Sequence, residues 1–116
     1  MSERSIFSRI MDGEIPADIV YEDSDCIAIN DILPKAPVHV LIIPRKPIPR
    51  LVDASDDDRA LLGQLMLKVG DIARQLGVDE AFRVVINNGE RAGQSVFHLH
   101  LHLLAGKHFD EGHLGM

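Results

Sequence analysis

The spacing of apolar positions along the chain changes several times, and each spacing predicts an element. Ser5 precedes Ile6, Phe7 and Ile10, which share one helical face, and Gly13 and Pro16 follow as stop signals. A short capped helix over Ile6–Met11 is expected. Ile19–Glu22 and Cys26–Asn30 read as strands joined by the turn-forming Asp23-Ser24-Asp25. Asp31 to Pro37 reads as a loop, because Pro34 and Pro37 bias their predecessors to extended backbone. Val38–Ile43 is a β-branched third strand that Pro44, Pro47 and Pro49 end. Leu61, Leu62, Leu65, Met66, Val69, Ile72, Ala73 and Leu76 then keep the 3.6-residue period of a long helix, with Gly77 as its stop. Asp53, Ser55 and Asp56 offer caps, and Asp56-Asp57-Asp58 places negative charge at the positive end of the helix dipole. Phe82–Ile86 is the fourth strand, Asn87–Ser95 a polar glycine-bearing loop, and Val96–Leu104 the fifth strand. Consecutive strands with one inserted helix predict an α+β fold: a five-stranded antiparallel sheet, one short N-terminal helix and one long helix.

Composition narrows the function. The chain has 116 residues, 46% hydrophobic and 26% charged, which suits one domain with a core of its own. Eighteen acidic against twelve basic side chains give a net charge of −6, which argues against a protein that grips nucleic-acid backbone. One cysteine, Cys26, makes no internal disulfide and no Cys-rich zinc module; on a strand it is expected to be buried and inert. No apolar run approaches signal-peptide or membrane-span length, so a cytoplasmic protein that engages neither membrane nor nucleic acid is expected.

The chemistry concentrates in Gln94-Ser95-Val96-Phe97-His98-Leu99-His100-Leu101-His102-Leu103-Leu104. Side chains alternate across a strand, so His98, His100 and His102 share one face at a spacing of about 6.6 Å. Phe97, Leu99, Leu101 and Leu103 fill the other face and are expected to pack under the long helix. Three imidazoles in a row suit a core poorly, because each buried ring nitrogen needs a partner. Two chemistries use such a row. Neutral imidazoles bind zinc; alternatively one imidazole is a nucleophile whose neighbours bind an anion and manage protons. Asn87-Asn88-Gly89 and Gly93-Gln94-Ser95 flank the strand with donors suited to phosphate oxygens, which favours phosphate chemistry and leaves zinc as an alternative.

The His-x-His-x-His-Leu-Leu run from His98 to Leu104 resembles the signature of the histidine triad superfamily. The resemblance extends through Val84–Asn87, Gly93–Val96, Ala36–Lys46 and from Ile6-Phe7 to Glu14-Ile15-Pro16, nearly the whole chain. It implies one histidine triad domain over residues 1–116, with residues 105–116 as a C-terminal tail. Within the superfamily the chain is most similar to the histidine triad nucleotide-binding (Hint) branch. His102 stands where the galactose-1-phosphate uridylyltransferase branch has glutamine, and the zinc-finger extension of the aprataxin branch does not follow the triad. The tail also lacks the tryptophan that animal members of the Hint branch carry near the terminus.

The resemblance implies a role for each matched position. His100 matches the nucleophile that attacks the α-phosphorus and forms a nucleotidyl-histidine. His98 orients it through its backbone carbonyl, while His102 and His39 lie beside the phosphate. Asn87, Gly93, Gln94 and Ser95 match the phosphate loop, and Asp31 matches the acceptor of the ribose hydroxyls. Ile6, Phe7, Ile10, Ile15, Ile29, Ile32 and Leu41 match the purine pocket. The leaving amine needs a proton, for which His102 and Ser95 are both candidates. The scheme requires no metal or cofactor, and the branch implies a homodimer. The expected activity is hydrolysis of the P–N bond of adenosine 5′-monophosphoramidates. Dinucleoside polyphosphate hydrolysis, as in the Fhit branch, and a non-catalytic nucleotide-binding or zinc-binding adaptor are the alternatives. Read alone, Asp31 is equally a turn former, Ser95 and Asn87 strand-end caps, and His39 a satisfied core histidine.

Overall fold

The Ser5 hydroxyl accepts the Ser8 N–H at 3.0 Å and starts helix α1, Ile6–Met11, which Gly13 follows with φ of 79°. This is seen in a computed structural model that describes residues 4–114. Strands β1 (Ile19–Glu22) and β2 (Cys26–Asn30) come next, joined where Asp23 Oδ1 accepts the N–H groups of Asp25 and Cys26. Strand β3 spans Val38–Pro44. Two 3₁₀ turns, Leu51–Asp53 and Asp56–Asp58, lead into helix α2, Arg59–Gln75. Asp58 Oδ2 accepts the Ser55 N–H at 2.9 Å, so the capping carboxylate is Asp58 rather than Asp53 or Asp56. Strands β4 (Phe82–Val85) and β5 (Leu101–Ala105) complete the sheet.

The five strands are antiparallel neighbours in the order β1-β2-β3-β5-β4. Alternation sorts their side chains to two faces. Cys26, Ala28, Val40, Ile42, Leu101 and Leu103 meet Leu65, Val69, Ile72 and Ala73 of α2. Each buried Val, Leu or Ile side chain among them contributes about 1.5–3 kcal/mol. On the opposite face, Phe7 of α1 packs on Ile27, Ile29, Leu41 and Ile43. His39, His102 and Leu104 belong to this second face by register, since His39 pairs with Leu104 and Leu41 with His102. Cys26 is buried, and burial together with the nearby Asp23 charge pushes its thiol up to about 12. None of the described helices is long and apolar enough to cross a membrane.

Two expectations are corrected. The fifth strand begins at Leu101 rather than Val96. Residues 96–100 run beside Pro44–Pro49, whose three prolines have no N–H to offer a ladder; the backbone bond made there is Leu99 N–H to Ile48 O at 2.7 Å. Phe97 consequently does not reach α2 and is 54% exposed. Met66 likewise faces away from the sheet, while Leu65 is buried.

Candidate active site

The sheet's second face brings four imidazoles together, and hydrogen-bond partners fix the proton on each. His98 is wholly buried. Its Nε2–H donates to Pro44 O at 2.7 Å, and its Nδ1 accepts the Ser5 hydroxyl at 2.7 Å. The carbonyl of His98 accepts from His100 Nδ1–H at 2.8 Å. A neutral imidazole has one N–H, so His100 keeps an unprotonated Nε2. The His100 ring is held edge-on to Phe7, with centroids 5.0 Å apart at 74°, and lies 5.0 Å from the His102 ring. His39 Nδ1 accepts the Lys35 backbone N–H at 3.0 Å, which places its proton on Nε2. That proton goes to His102 Nδ1 at 2.9 Å, with Asp31 Oδ2 3.4 Å from the same nitrogen. His102 therefore carries its proton on Nε2.

Burial keeps these rings neutral. It is the largest influence lowering His39, His98 and His100 below the usual histidine value, outweighing the Asp31 charge near His39 and His100. His102 falls furthest, to about 4, because His100 and His39 add repulsion to burial. The result is one unprotonated nitrogen on His100 beside one N–H donor on His102.

A cavity of about 340 Å³ opens beside them, walled by Asp31, Leu33, Lys35, His39, Val85, Asn87, Ser95, His102 and Leu104. His100 is not part of its wall; the ring is 6% exposed behind Phe7 and His102. Asp31 is a turn former that also faces the imidazoles. Its Oδ1 closes a turn on the Leu33 N–H at 2.9 Å, and its Oδ2 faces His39. Asn87 lies against Gly93, whose φ is 96°.

The remaining sequence candidates divide. Phe7, Ile29 and Leu41 form one apolar cluster with Ile10 packed on it, while Ile15 is half-buried outside that cluster. Ile32 is 91% exposed, and Ile6 points instead toward Pro47 and Phe97. The Gln94 side chain is committed within its own loop. Its Oε1 accepts the Gly89 N–H, and its Nε2 donates to Pro49 O and Val96 O, which leaves only the backbone for a phosphate. Sequence reasoning missed the Ser5 link to His98, 93 residues away, and the Lys35 backbone that orients His39. Ser5 carried a local signal as a cap; nothing local pointed to its second bond.

Asp31, His39 and His102 are close enough to hold one metal ion, with one ligand atom from each within 4.8 Å of the others. The protons oppose it. A metal on His39 Nε2 requires that ring's proton on Nδ1, directly against the Lys35 N–H.

Comparisons with known proteins place the chain in a family. The HIT domain profile matches residues 12–109. A HIT-like protein of Synechocystis sp. is 57% identical over 109 residues, 94% of this chain and 96% of that protein. The crystal structure of a HIT family hydrolase from Legionella pneumophila superposes with a TM-score of 0.89 at 41% identity, covering 93% of this chain and 97% of that one. That of a histidine triad nucleotide-binding protein from Candida albicans gives 0.78 at 30% identity, covering 97% and 90%. The five-stranded sheet with its two helices is the fold of these structures, and the chain belongs to the HIT domain family.

Proposed function

We propose that this chain is a purine nucleotide-binding hydrolase of the Hint branch that cleaves the P–N bond of adenosine 5′-monophosphoramidates. The single observation that carries the reading is the His100 tautomer: Nδ1–H is held on the His98 carbonyl and Nε2 is left free in a neutral ring. That is the state a nitrogen nucleophile needs. Similarity to the Candida nucleotide-binding protein supports the nucleotide.

In this reading His100 Nε2 attacks the α-phosphorus and forms a new P–N bond as the bond to the substrate's amine breaks. The departing amine takes a proton from the Ser95 hydroxyl or from His102 Nε2–H. Water then attacks the phosphorus, the P–Nε2 bond breaks with its electron pair returning to His100, and the water's proton restores the donor. The products are the free amine and AMP. His102 Nε2–H and the Asn87 amide donate to the phosphate oxygens. Asp31 receives the ribose hydroxyls, and Phe7, Ile10, Ile29 and Leu41 cover the base. The chain acts as a cytoplasmic homodimer.

The test is hydrolysis of a fluorogenic adenosine phosphoramidate by wild type and His100→Ala, with EDTA present. Turnover by wild type alone is expected. Absence of turnover by both removes the phosphoramidase reading.

A further inference from the structure

Beyond His102, on the same face of the sheet, lies a second cavity of about 390 Å³. Registers place it. Ile29, Leu41, His102 and Val85 form one row across β2, β3, β5 and β4, and His39, Leu104 and Arg83 form the next. The base and ribose candidates lie at the β2 end of these rows, and Arg83 lies at the β4 end. Arg83 is thus the diagonal neighbour of His102, about 7–8 Å away across the pair. Lys35 belongs to the walls of both cavities, so the second continues the first.

Its charge sets it apart from the rest of the chain. Of the twelve basic side chains, Arg4, Arg45, Lys46, Arg50, Arg59, Lys68 and Arg74 pair with carboxylates. Of the other five, Lys35, Arg83 and Lys107 all line this one cavity. The Arg83 guanidinium donates to the carbonyls of His113 at 2.8 Å and Asp110 at 3.1 Å, and sits 4.8 Å over the Phe109 ring. Lys107 Nζ stands 5.4 Å from the same ring. These contacts orient the cations without neutralising them. Asp110 is the one carboxylate in the wall among the described residues, and it is turned onto the Gly112 N–H and His113 Nδ1. Among the described residues three positive charges face one negative here, which in a chain of net −6 makes a local anion trap.

We propose that this cavity is the leaving-group subsite and that it selects substrates whose departing group is anionic. Position and charge both require it. A nucleotide with its base toward β2 and its phosphorus beside His100 and His102 projects its fourth substituent toward β4, into the field of Lys35, Arg83 and Lys107. The anion is either a carboxylate borne by the departing amine or the next phosphate of a polyphosphate; both present the same charge to the same cations. The assignment rests on the catalytic reading above, with the triad acting on the α-phosphorus.

The test compares adenosine 5′-phosphoramidates of glycine and of glycinamide, which differ in one charge, with diadenosine triphosphate as a third substrate. Wild type is expected to favour the glycine compound by about tenfold in kcat/KM at low salt, with the preference shrinking as ionic strength rises. Lys107→Glu, at an exposed tail position, is expected to abolish the preference; Lys107→Met is expected to halve it on a logarithmic scale. Dissociation constants of the same ligands on His100→Ala provide a readout independent of chemistry. If wild type hydrolyses nothing, the catalytic reading fails while those constants still decide the subsite. A Lys107-dependent advantage for glycine assigns the anion as carboxylate, and one for diadenosine triphosphate alone assigns it as phosphate. Equal rates and equal affinities for the charged and neutral ligands, or a preference untouched by Lys107→Glu, overturn the proposal.

Discussion

Removing the Ser5 hydroxyl should cost more than a helix cap. One oxygen serves two partners: it accepts the Ser8 N–H at 3.0 Å and donates to His98 Nδ1 at 2.7 Å. Ser→Ala at an N-cap costs about 1 kcal/mol. Stripping a buried acceptor of its donor costs a further ~1–3 kcal/mol, and His98 is wholly buried. The sum for Ser5→Ala is about 2–4 kcal/mol. At ~2.1 cal/mol/K per residue, a chain of this length loses about 4 °C in Tm per kcal/mol, so a drop of about 8–16 °C is expected by thermal denaturation at pH 7.5. Ser5→Gly separates the two bonds, since glycine at an N-cap loses only a few tenths of a kcal/mol. It should retain most of the cap and still lose the His98 bond, for a drop of about 5–13 °C. Turnover should follow. The His98 carbonyl holds His100, so both variants are expected to lower kcat with little change in KM. A Ser5→Gly protein that melts within about 2 °C of wild type, with kcat intact, would refute the linkage between the cap and the triad.

Three further outcomes are expected. Unfolded histidines protonate near pH 6.5, whereas burial holds all four imidazoles below that and His102 at about 4, so the unfolded chain binds more protons between those values. Urea midpoints should therefore be flat above about pH 7 and fall steadily from pH 6.5 toward 4, with a shallower fall in His102→Gln; a midpoint constant or rising over that window contradicts the burial argument. Gly106→Ala would bring a Cβ to 2.8 Å from Pro37 Cβ at φ of 91°, which costs about 2–4 kcal/mol in denaturant titration. Gly13→Ala, at φ of 79° in open space, should cost only about 1 kcal/mol, and equal losses would show that the contact with Pro37 is immaterial. Asp58→Ala should cost about 1–2 kcal/mol by removing the carboxylate that holds the Ser55 N–H, whereas Lys46→Met, deleting its exposed ion-pair partner, should cost less than about 1 kcal/mol. The reverse order would place the stabilisation in the ion pair.

Much of this molecule is written locally. The bounds of α1, β1 and β2 follow from Ser5, Gly13 and the Asp23 turn, because caps and turns are local chemistry. The fifth strand shows where local reading stops. Its alternation continues back to Val96, but regular pairing depends on the partner, and the partner there is proline-rich. Pro44, Pro47 and Pro49 were visible; that they face residues 96–100 was a tertiary fact. Gln94 shows the same limit in the site, since its type suggested a phosphate donor while its side chain is spent on Gly89, Pro49 and Val96. The triad itself was legible because three histidines at period two have no easy place in a core. Lys35, Arg83 and Lys107 were not, because only the sheet brings such distant cations to one cavity.

The central claim is that His100 Nε2 becomes covalently bound to phosphorus. It is tested most directly by mixing the protein with an adenosine 5′-phosphoramidate, quenching within milliseconds and mapping adenylylated peptides by mass spectrometry. One adenylyl group on His100, formed and lost at rates consistent with turnover and absent from His100→Ala, is the expected result. Turnover with no adduct, or an adduct carried by His102, His98 or His39 instead, would contradict it.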